Sequence, residues 1–294
     1  MMIEEIFQSI VNGVLLGGIY ACFGLGISLI WGVMRASNFA HGAVGFLAAY
    51  FSFSALTEWS IDPLLSLTFL LPAFFVLGMA IYLAIIYPAY LRTAQLEFES
   101  STMLLTFGLS LILESVMSYF WGTQHVSGSV QYFTTRAFQI GPIYVATNGL
   151  VALGVAVAAV AVIALLLDRT YLGLGIRAAS QNREVASMMG VNIYRIWMLS
   201  FGITIALGAL AGVAMSLQYA YYPHGNLIWT IKAFIVVVLG GMGSIGGTLA
   251  GGILLGVSEN VGGTVLPFAF RDIVALAIFL TVILVRPQGL FGRK

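Results

Sequence analysis

Long apolar stretches with almost no charged side chains dominate this sequence. A helix needs about 20 apolar residues to cross the hydrocarbon core of a bilayer. Stretches of that length recur at 7–34, 37–57, 63–91, 100–120, 143–167, 196–219, 233–258 and 261–285. Only 8% of the 294 residues are charged, whereas a globular domain has about 25%. Lipid must therefore cover most of the surface, and the chain is predicted to be a polytopic integral membrane protein.

The apolar stretches have the pattern of helices and not of barrel strands. Strands of a membrane barrel alternate apolar and polar residues, but 151–167 is apolar at every position. We therefore predict an all-α fold with about eight hydrophobic helical segments. No linker separates two domains, so residues 1–294 are expected to form a single transmembrane domain.

Two breaks interrupt the apolar segments. The first, 35–42, contains Asn38, His41 and Gly42. The second has five glycines, which destabilise a helix: Gly240, Gly241, Gly243, Gly246 and Gly247. One break in each half resembles the broken helices of transporters built from inverted repeats. We expect the glycine-rich break to be buried against protein, where it either lines a transport path or packs helices closely.

Several polar and aromatic residues in or beside the apolar segments have alternative roles. Asn38 and His41 would hydrogen-bond a zwitterion or satisfy the backbone of the first break. Glu114 either lines a path or lies near the outer interface and reaches water. Arg271 and Asp272 are interpreted as an interfacial pair. An interfacial aromatic belt is predicted from Tyr219, Tyr221, Tyr222 and Trp229.

The distribution of arginine predicts the orientation. Cytoplasmic segments are enriched in Lys and Arg, and the longest polar stretch, 168–195, contains four arginines. The basic C-terminus is assigned to the same side, and Glu4, Glu5 and the 58–62 turn to the outside. Eight crossings from an outside N-terminus would leave the C-terminus outside as well. One segment must therefore fail to cross or count twice, and 233–258 is the best candidate.

A helix over 176–190 would be amphipathic. At 100° per residue, Ala178, Val185 and Met189 fall within an arc of about 40°. The polar residues on the opposite side are Arg177, Ser180, Arg183, Glu184 and Ser187. Gly190 is expected to cap the C-terminus. A helix this short needs a surface to pack on, either the lipid interface or a groove of a partner protein.

The motifs of several enzyme classes are absent. A P-loop needs a lysine between Gly and Ser or Thr, and neither Lys232 nor Lys294 has that setting. Neither HExxH nor GxSxG occurs. With one cysteine and three scattered histidines, no metal or cofactor site is predicted. The net charge of +1 argues against a nucleic-acid partner. The chain is therefore predicted not to be an enzyme.

Four blocks of sequence carry a resemblance to a known family. They are Asn38-Phe-Ala-His41-Gly42, 175–192, 238–247 and Arg286-Pro-Gln-Gly-Leu-Phe. Within the second block, Glu184-Val-Ala186-Ser-Met-Met-Gly190 resembles the cytoplasmic EAA loop of ATP-binding-cassette importer permeases, E-A-A-x-x-x-G. All four are similar, in the same order, to blocks of the branched-chain amino acid permeases, and the length fits the shorter H-type of the Liv system. Ser200 departs from the fuller EAA pattern, which has isoleucine there.

The resemblance implies an inner-membrane permease without an ATPase site of its own, which imports leucine, isoleucine and valine. It implies three kinds of partner protein: ATP-binding subunits, a second permease (M-type, or a second copy) and a periplasmic or extracellular substrate-binding protein. The implied ATPase-coupling residues are Arg177, Asn182, Arg183, Glu184, Val185, Ala186, Met189 and Gly190. The candidates for a translocation path or helix break are Asn38, His41, Gly42, Glu114 and the five glycines of the second break.

Two alternatives stay open at this point. Related permeases move urea, short amides or other amino acids, so the substrate within the family is not determined. A self-sufficient secondary transporter or channel would need intramembrane charges for ion coupling, and the sequence contains few charges deep within its apolar segments.

Overall fold

The polypeptide is almost entirely helical. A computed structural model describes residues 2–92, 97–127, 137–141, 143–267 and 270–292. The α-helices are α1 (Met2–Met34), α2 (His41–Trp59), α3 (Pro63–Ile81), α4 (Tyr87–Arg92), α5 (Phe98–Trp121), α6 (Thr147–Arg169), α7 (Tyr171–Gln181), α8 (Arg183–Met188), α9 (Ile193–Ser216), α10 (Asn226–Gly240), α11 (Ile245–Val265) and α12 (Arg271–Val285). Tyr82–Ile86 is a π-helical turn, Pro223–Gly225 is a 3₁₀ turn, and β1 (Ala137–Ile140) pairs antiparallel with β2 (Ile143–Ala146). The predicted all-α fold is confirmed.

Six helical stretches of the described residues are long and apolar enough to cross a membrane. They are Ile3–Met34, Pro63–Arg92, Phe98–Trp121, Thr147–Arg169, Ile193–Ser216 and Pro223–Gly240. Each of the predicted apolar segments contains a helix, although several also include turn residues, and 143–146 form β2. The architecture is that of a polytopic membrane protein, as the scarcity of charge predicts.

α1 is the central helix of the bundle. Its 33 residues make it about 50 Å long, and most of its residues from Leu15 onward are buried. Two of its glycines face two glycines of α11. A Cβ built on Gly256 would lie 2.3 Å from the Gly13 carbonyl oxygen, and one on Gly252 would lie 2.6 Å from the Gly17 carbonyl oxygen. The two backbones therefore touch, which small residues spaced four apart permit.

The glycine-rich break is a tight turn between α10 and α11. The segment predicted at 233–258 folds into parts of two helices, α10 and α11, which pack side by side. α11 continues to Val265, and α12 begins at Arg271. Gly241 and Gly243 have φ angles of 97° and 82°, which residues with a Cβ disfavour. The predicted segment 233–258 is therefore two helices and not one.

The turn is only partly buried. Gly240, Gly241 and Gly247 are buried, but Gly243 and Gly246 are exposed. A Cβ on Gly247 would lie 2.1 Å from the Gly240 carbonyl oxygen, whereas one on Gly246 would meet nothing within 4 Å. The expectation that Gly243 is buried against protein is wrong. Its backbone conformation requires glycine, while the close packing is made by Gly240 and Gly247.

Two helices begin inside the bundle. α2 starts at His41, whose ring lies against Gly26 of α1, and the chain reaches this point from the end of α1 through residues 35–40. α10 starts at Asn226 beside Gly42, after residues 217–225. The first break is as predicted. The interruption at 217–225 falls near the predicted gap between 196–219 and 233–258, but α10 begins earlier than predicted, at Asn226 inside the bundle.

Arginine-bearing segments collect at one end of the bundle. A cavity joins the end of α1 to residues 179–184, and the backbone amide of Leu290 donates to the carbonyl oxygen of Leu239. At the opposite end, Gln8 donates to the Tyr144 carbonyl oxygen. The 168–195 loop and the chain after α12 therefore share one end, opposite Glu4 and Glu5, as the charge distribution predicts. Residues 293 and 294, which contribute to the basic C-terminus, lie outside the described residues.

The aromatic residues around 220–230 contribute to the interior. Tyr221 is buried, and its hydroxyl donates to the Ala49 carbonyl oxygen at 2.9 Å. Trp229 packs against Tyr20 and Phe23, with ring centroids 5.4 and 5.5 Å apart. The predicted interfacial belt is therefore wrong for Tyr221, because the chain turns into the bundle before α10 begins.

Candidate translocation path and coupling loop

The N-termini of α2 and α10 meet inside the bundle. The backbone amide of Gly42 donates to Thr230 Oγ1 at 3.1 Å, and Thr230 donates to the Asn226 carbonyl oxygen at 3.0 Å. A Cβ on Gly42 would lie 2.2 Å from Thr230 Oγ1, so only glycine fits between these helices. Gly42 thus lies where two interrupted helices meet, an arrangement that transporters use around their substrates.

The two polar residues beside Gly42 differ in what they contact. Asn38 Oδ1 accepts a hydrogen bond from the Ala40 amide at 3.1 Å, so Asn38 satisfies the broken backbone. His41 is fully buried, with its ring 6.2 Å from that of Phe23. Neither of its ring nitrogens makes a hydrogen bond of normal geometry to a described residue. The backbone-satisfying role therefore stays a prediction for His41.

Buried polar atoms along α1 and α2 lack hydrogen-bond partners within the described part of the chain. They are Ser28 Oγ, Asn38 Nδ2, both His41 ring nitrogens and Tyr50 Oη. Most buried polar atoms in native proteins are bonded to protein or water, and leaving one unsatisfied costs about 1–3 kcal/mol. Water, or the polar end of a transported molecule, would stabilise this region.

Glu114 connects α5 to the start of α10. Its Oε2 accepts from Asn226 Nδ2 at 2.7 Å, and its Oε1 contacts His224 Nδ1. The Glu114 side chain is 20% exposed and that of His224 is 58% exposed. Glu114 is therefore part of the α2–α10 junction and is not an isolated interfacial carboxylate, although it remains accessible from the α5 side.

A second ionic cluster, missed by the sequence analysis, is centred on Glu259. This Glu259 cluster comprises Tyr20, Lys232, Glu259, Arg271 and Asp272. Glu259 accepts from the Tyr20 hydroxyl at 2.8 Å and pairs with Lys232 at 2.9 Å and Arg271 at 3.4 Å. Lys232 also pairs with Asp272 at 3.2 Å. The Glu259 side chain is only 1% exposed, so its charge is compensated by three donors from three other helices.

The Glu259 cluster corrects the interpretation of Arg271 and Asp272. These neighbours bind different partners, Glu259 and Lys232, and do not form a simple interfacial pair. The cluster was missed because its members lie far apart in the sequence, on α1, α10, α11 and α12. The one available signal was a glutamate inside the otherwise uncharged stretch 245–265.

The predicted amphipathic helix 176–190 is in fact two helices. α7 ends at Gln181, and Asn182 has extended backbone angles and accepts from the amides of Glu184 and Val185 at 3.0 and 3.1 Å. An N-cap of this kind starts a new helix, which the continuous helical wheel did not anticipate. Gly190 follows α8 with a φ of 88°, so its predicted role as a C-terminal cap is confirmed.

The break at Asn182 changes which side chains of the loop face outward. Ile176, Ala179 and Ala186 are buried against the bundle. Val185, Met188 and Met189 are 53%, 84% and 81% exposed. Ala178 of the predicted apolar arc is half-buried, whereas Met188, outside that arc, joins Val185 and Met189 in an exposed apolar patch. We call these three residues the α8 patch.

Interrupted helices that meet inside a polytopic bundle, together with an arginine-rich loop at one end, define a membrane transport permease. Residues 9–283 match the family described as "Branched-chain amino acid transport system / permease component", and the chain belongs to this family. The resemblance drawn from the four sequence blocks is confirmed. The protein is a multi-pass protein of the inner membrane.

Curated relatives match over nearly their whole length. The permease protein BraD of Pseudomonas aeruginosa, named for high-affinity branched-chain amino acid transport, is 29% identical over 99% of this chain and 97% of its own. LivH of Escherichia coli K12 is 31% identical over 97% of this chain and 95% of its own. A probable LivH of Methanocaldococcus jannaschii is 26% identical over 96% and 91%. Among solved structures, PsaBC from Streptococcus pneumoniae in complex with Fab matches with a TM-score of 0.49 and 14% identity, over 97% of this chain and 92% of that chain.

Proposed function

We propose that this chain is the permease subunit of an ATP-binding-cassette importer that carries leucine, isoleucine and valine across the inner membrane. The observation that carries the proposal is the family match over residues 9–283, together with relatives named for high-affinity branched-chain amino acid transport. A substrate-binding protein on the outside delivers the amino acid. Specificity among these amino acids, other amino acids, urea and amides is tested by competition against uptake of labelled leucine.

The translocation path in this proposal runs along the junction of α2 and α10. Asn38, His41 and Gly42 lie there, and the unpartnered polar atoms of Asn38 and His41 match the polar end of a zwitterion. Phe23 and Phe46 supply apolar walls for a branched side chain. A site with few polar groups in apolar surroundings is typical for a small ligand of this kind.

The α5 side of the bundle faces a second permease, either an M-type subunit or another copy of this chain. Glu114 and His224 are partly exposed there, and ionisable groups inside a membrane face a partner or a water-filled cavity and not lipid. The Glu259 cluster does not favour a secondary transporter, because its two cationic and two anionic side chains are already paired with one another.

The permease takes its energy from separate ATP-binding subunits, since its sequence has no P-loop. Residues 168–195 form the cytoplasmic contact for these subunits, and the residues Arg177, Asn182, Arg183, Glu184, Val185, Ala186, Met189 and Gly190 belong to it. In support, the α8 patch is exposed although it is apolar, and exposed apolar patches mark interaction sites.

Replacing Met189 with Asp is expected to detach the ATP-binding subunit. Burying a side chain of this kind contributes roughly 1.5–3 kcal/mol, and the new carboxylate would have to be desolvated in the contact. The measurement is co-purification of the ATP-binding subunit with the variant, together with substrate-stimulated ATP hydrolysis in proteoliposomes.

Met242→Asp is the matched control, because Met242 is 49% exposed in the turn between α10 and α11 at the same end of the bundle. It should retain the ATP-binding subunit. If Met189→Asp recovers the subunit as well as Met242→Asp and hydrolyses ATP normally, the loop is not the coupling element. A helix lying on the lipid interface would give that result.

A further inference from the structure

A polar cavity of about 320 Å³ opens at the arginine-rich end of the bundle. It lies between the end of α1 (residues 32–35) and the bend at which α7 passes into α8 (residues 179–184), and Trp197 of α9 completes its lining. Asn182, which ends α7 and caps α8, is among its lining residues. None of the path residues lies in it.

The charged residues of the cavity carry a net positive charge. Arg35 and Arg183 line it with one acid, Glu184, and neither arginine forms an ion pair with another described residue. Arg183 is half-buried, so its charge is only partly screened by water. Such a cavity favours an anionic occupant.

Trp197 forms a firmly held part of the cavity wall. Its side chain is only 2% exposed. The ring itself is held firmly, with centroids 5.0 Å from Tyr90 and 6.1 Å from Phe98. The cavity therefore has a rigid aromatic wall, and its charge comes from the two arginines.

The cavity lies beside the α8 patch in both sequence and space. Glu184 lines the cavity and Val185 begins the patch, so a protein that covers the patch also covers the cavity mouth. Interfaces commonly combine apolar anchors with a few charged contacts that fix their register.

We propose that this cavity is a socket for an acidic side chain of the ATP-binding subunit, held by Arg35 and Arg183. The inference rests on the proposed function, and it adds a second contact that the loop motif does not contain. The α8 patch supplies apolar area, and the socket fixes the orientation of the subunit against the end of α1. Movement of the subunit would then be transmitted to α1 directly, as well as through α7 and α8.

The test uses the full permease co-expressed with its ATP-binding subunit. Arg35→Gln/Arg183→Gln should weaken binding of the subunit at least about tenfold, because charged hydrogen bonds are lost. It should also flatten the salt dependence of binding. The thermal midpoint of the free double variant should stay unchanged, because Arg35 is exposed and Arg183 is half-buried. Arg169→Gln, an exposed arginine of the same end outside the cavity, is the control and should bind like wild type.

Binding by the double variant that is as strong and as salt-dependent as that of Arg169→Gln would overturn the socket, while loss of binding in Met189→Asp would leave the proposed function standing. If the wild-type permease itself retains no ATP-binding subunit, the proposed function fails instead. A further outcome is that the double variant binds the subunit less strongly than wild type in nanodiscs that contain anionic lipid, yet as strongly as wild type in nanodiscs of phosphatidylcholine alone. That result would assign the cavity to a lipid headgroup and would also overturn the socket.

Discussion

Replacing Glu259 with Leu is expected to destabilise the folded permease by about 3–5 kcal/mol, the usual cost of removing one partner from a buried ion pair. Lys232 and Arg271 would keep their charges but lose the carboxylate that both contact. The Tyr20 hydroxyl would lose its acceptor as well. The thermal midpoint of the purified variant in detergent, compared with wild type, measures the effect.

A double variant tests whether the lost stability comes from uncompensated buried charge or from poorer packing of the new side chain. Lys232→Met combined with Glu259→Met removes both charges of the closest pair, and well-packed apolar replacements of a buried pair are often neutral. The double variant should therefore recover more than half of the lost stability. Glu58→Leu, at an exposed position, should have little effect. A Glu259→Leu protein as stable as Glu58→Leu would show that the cluster contributes nothing to stability.

Replacing Gly256 with Leu is expected to prevent assembly of the α1–α11 contact, at a cost of about 3 kcal/mol or more. The added Cβ alone would lie 2.3 Å from the Gly13 carbonyl oxygen. Backbone atoms cannot move aside as a flexible side chain can, so the two helices would have to separate along their length. Yield of folded, monodisperse protein and its thermal midpoint measure the result.

Gly246→Leu is a control on the same helix. A Cβ there would meet nothing within 4 Å, and leucine has a higher helix propensity than glycine by up to about 1 kcal/mol. This variant should be at least as stable as wild type. Equal yields and midpoints for Gly256→Leu and Gly246→Leu would contradict close contact between α1 and α11.

Both effects arise at contacts with α1, which explains why α1 is the most buried of the long helices. Its glycines set the distance to α11, and its Tyr20 takes part in the Glu259 cluster. The junction of α2 with α10 lies on another side of the same helix, where Gly26 meets the ring of His41. A change in the position of α1 would therefore alter the packing along the path. A second contact between the ATP-binding subunit and the end of α1 would link the subunit to that change.

Short-range features of the fold and site could be predicted from the sequence. Breaks at 35–42 and 239–247 follow from residues that destabilise a helix where they stand, and the Gly190 cap follows from local backbone geometry. Asn182 is a local signal too, since Asn is a strong N-cap. It was overlooked because the apolar arc was drawn through it as one continuous helix, which placed Met188 outside the exposed patch.

The sequence by itself determined that this chain is an all-helical membrane protein, where two of its helical segments break and to which family it belongs, because those properties depend on local hydrophobicity, backbone propensity and motif order. The tertiary structure alone decided which charges meet. Glu259 finds its partners on three other helices, Glu114 reaches Asn226 across 112 residues, and Tyr221 turns inward to Ala49. Buried polar groups are satisfied by whichever elements pack beside them, and packing is set by close contacts such as Gly13 with Gly256 that no local pattern specifies.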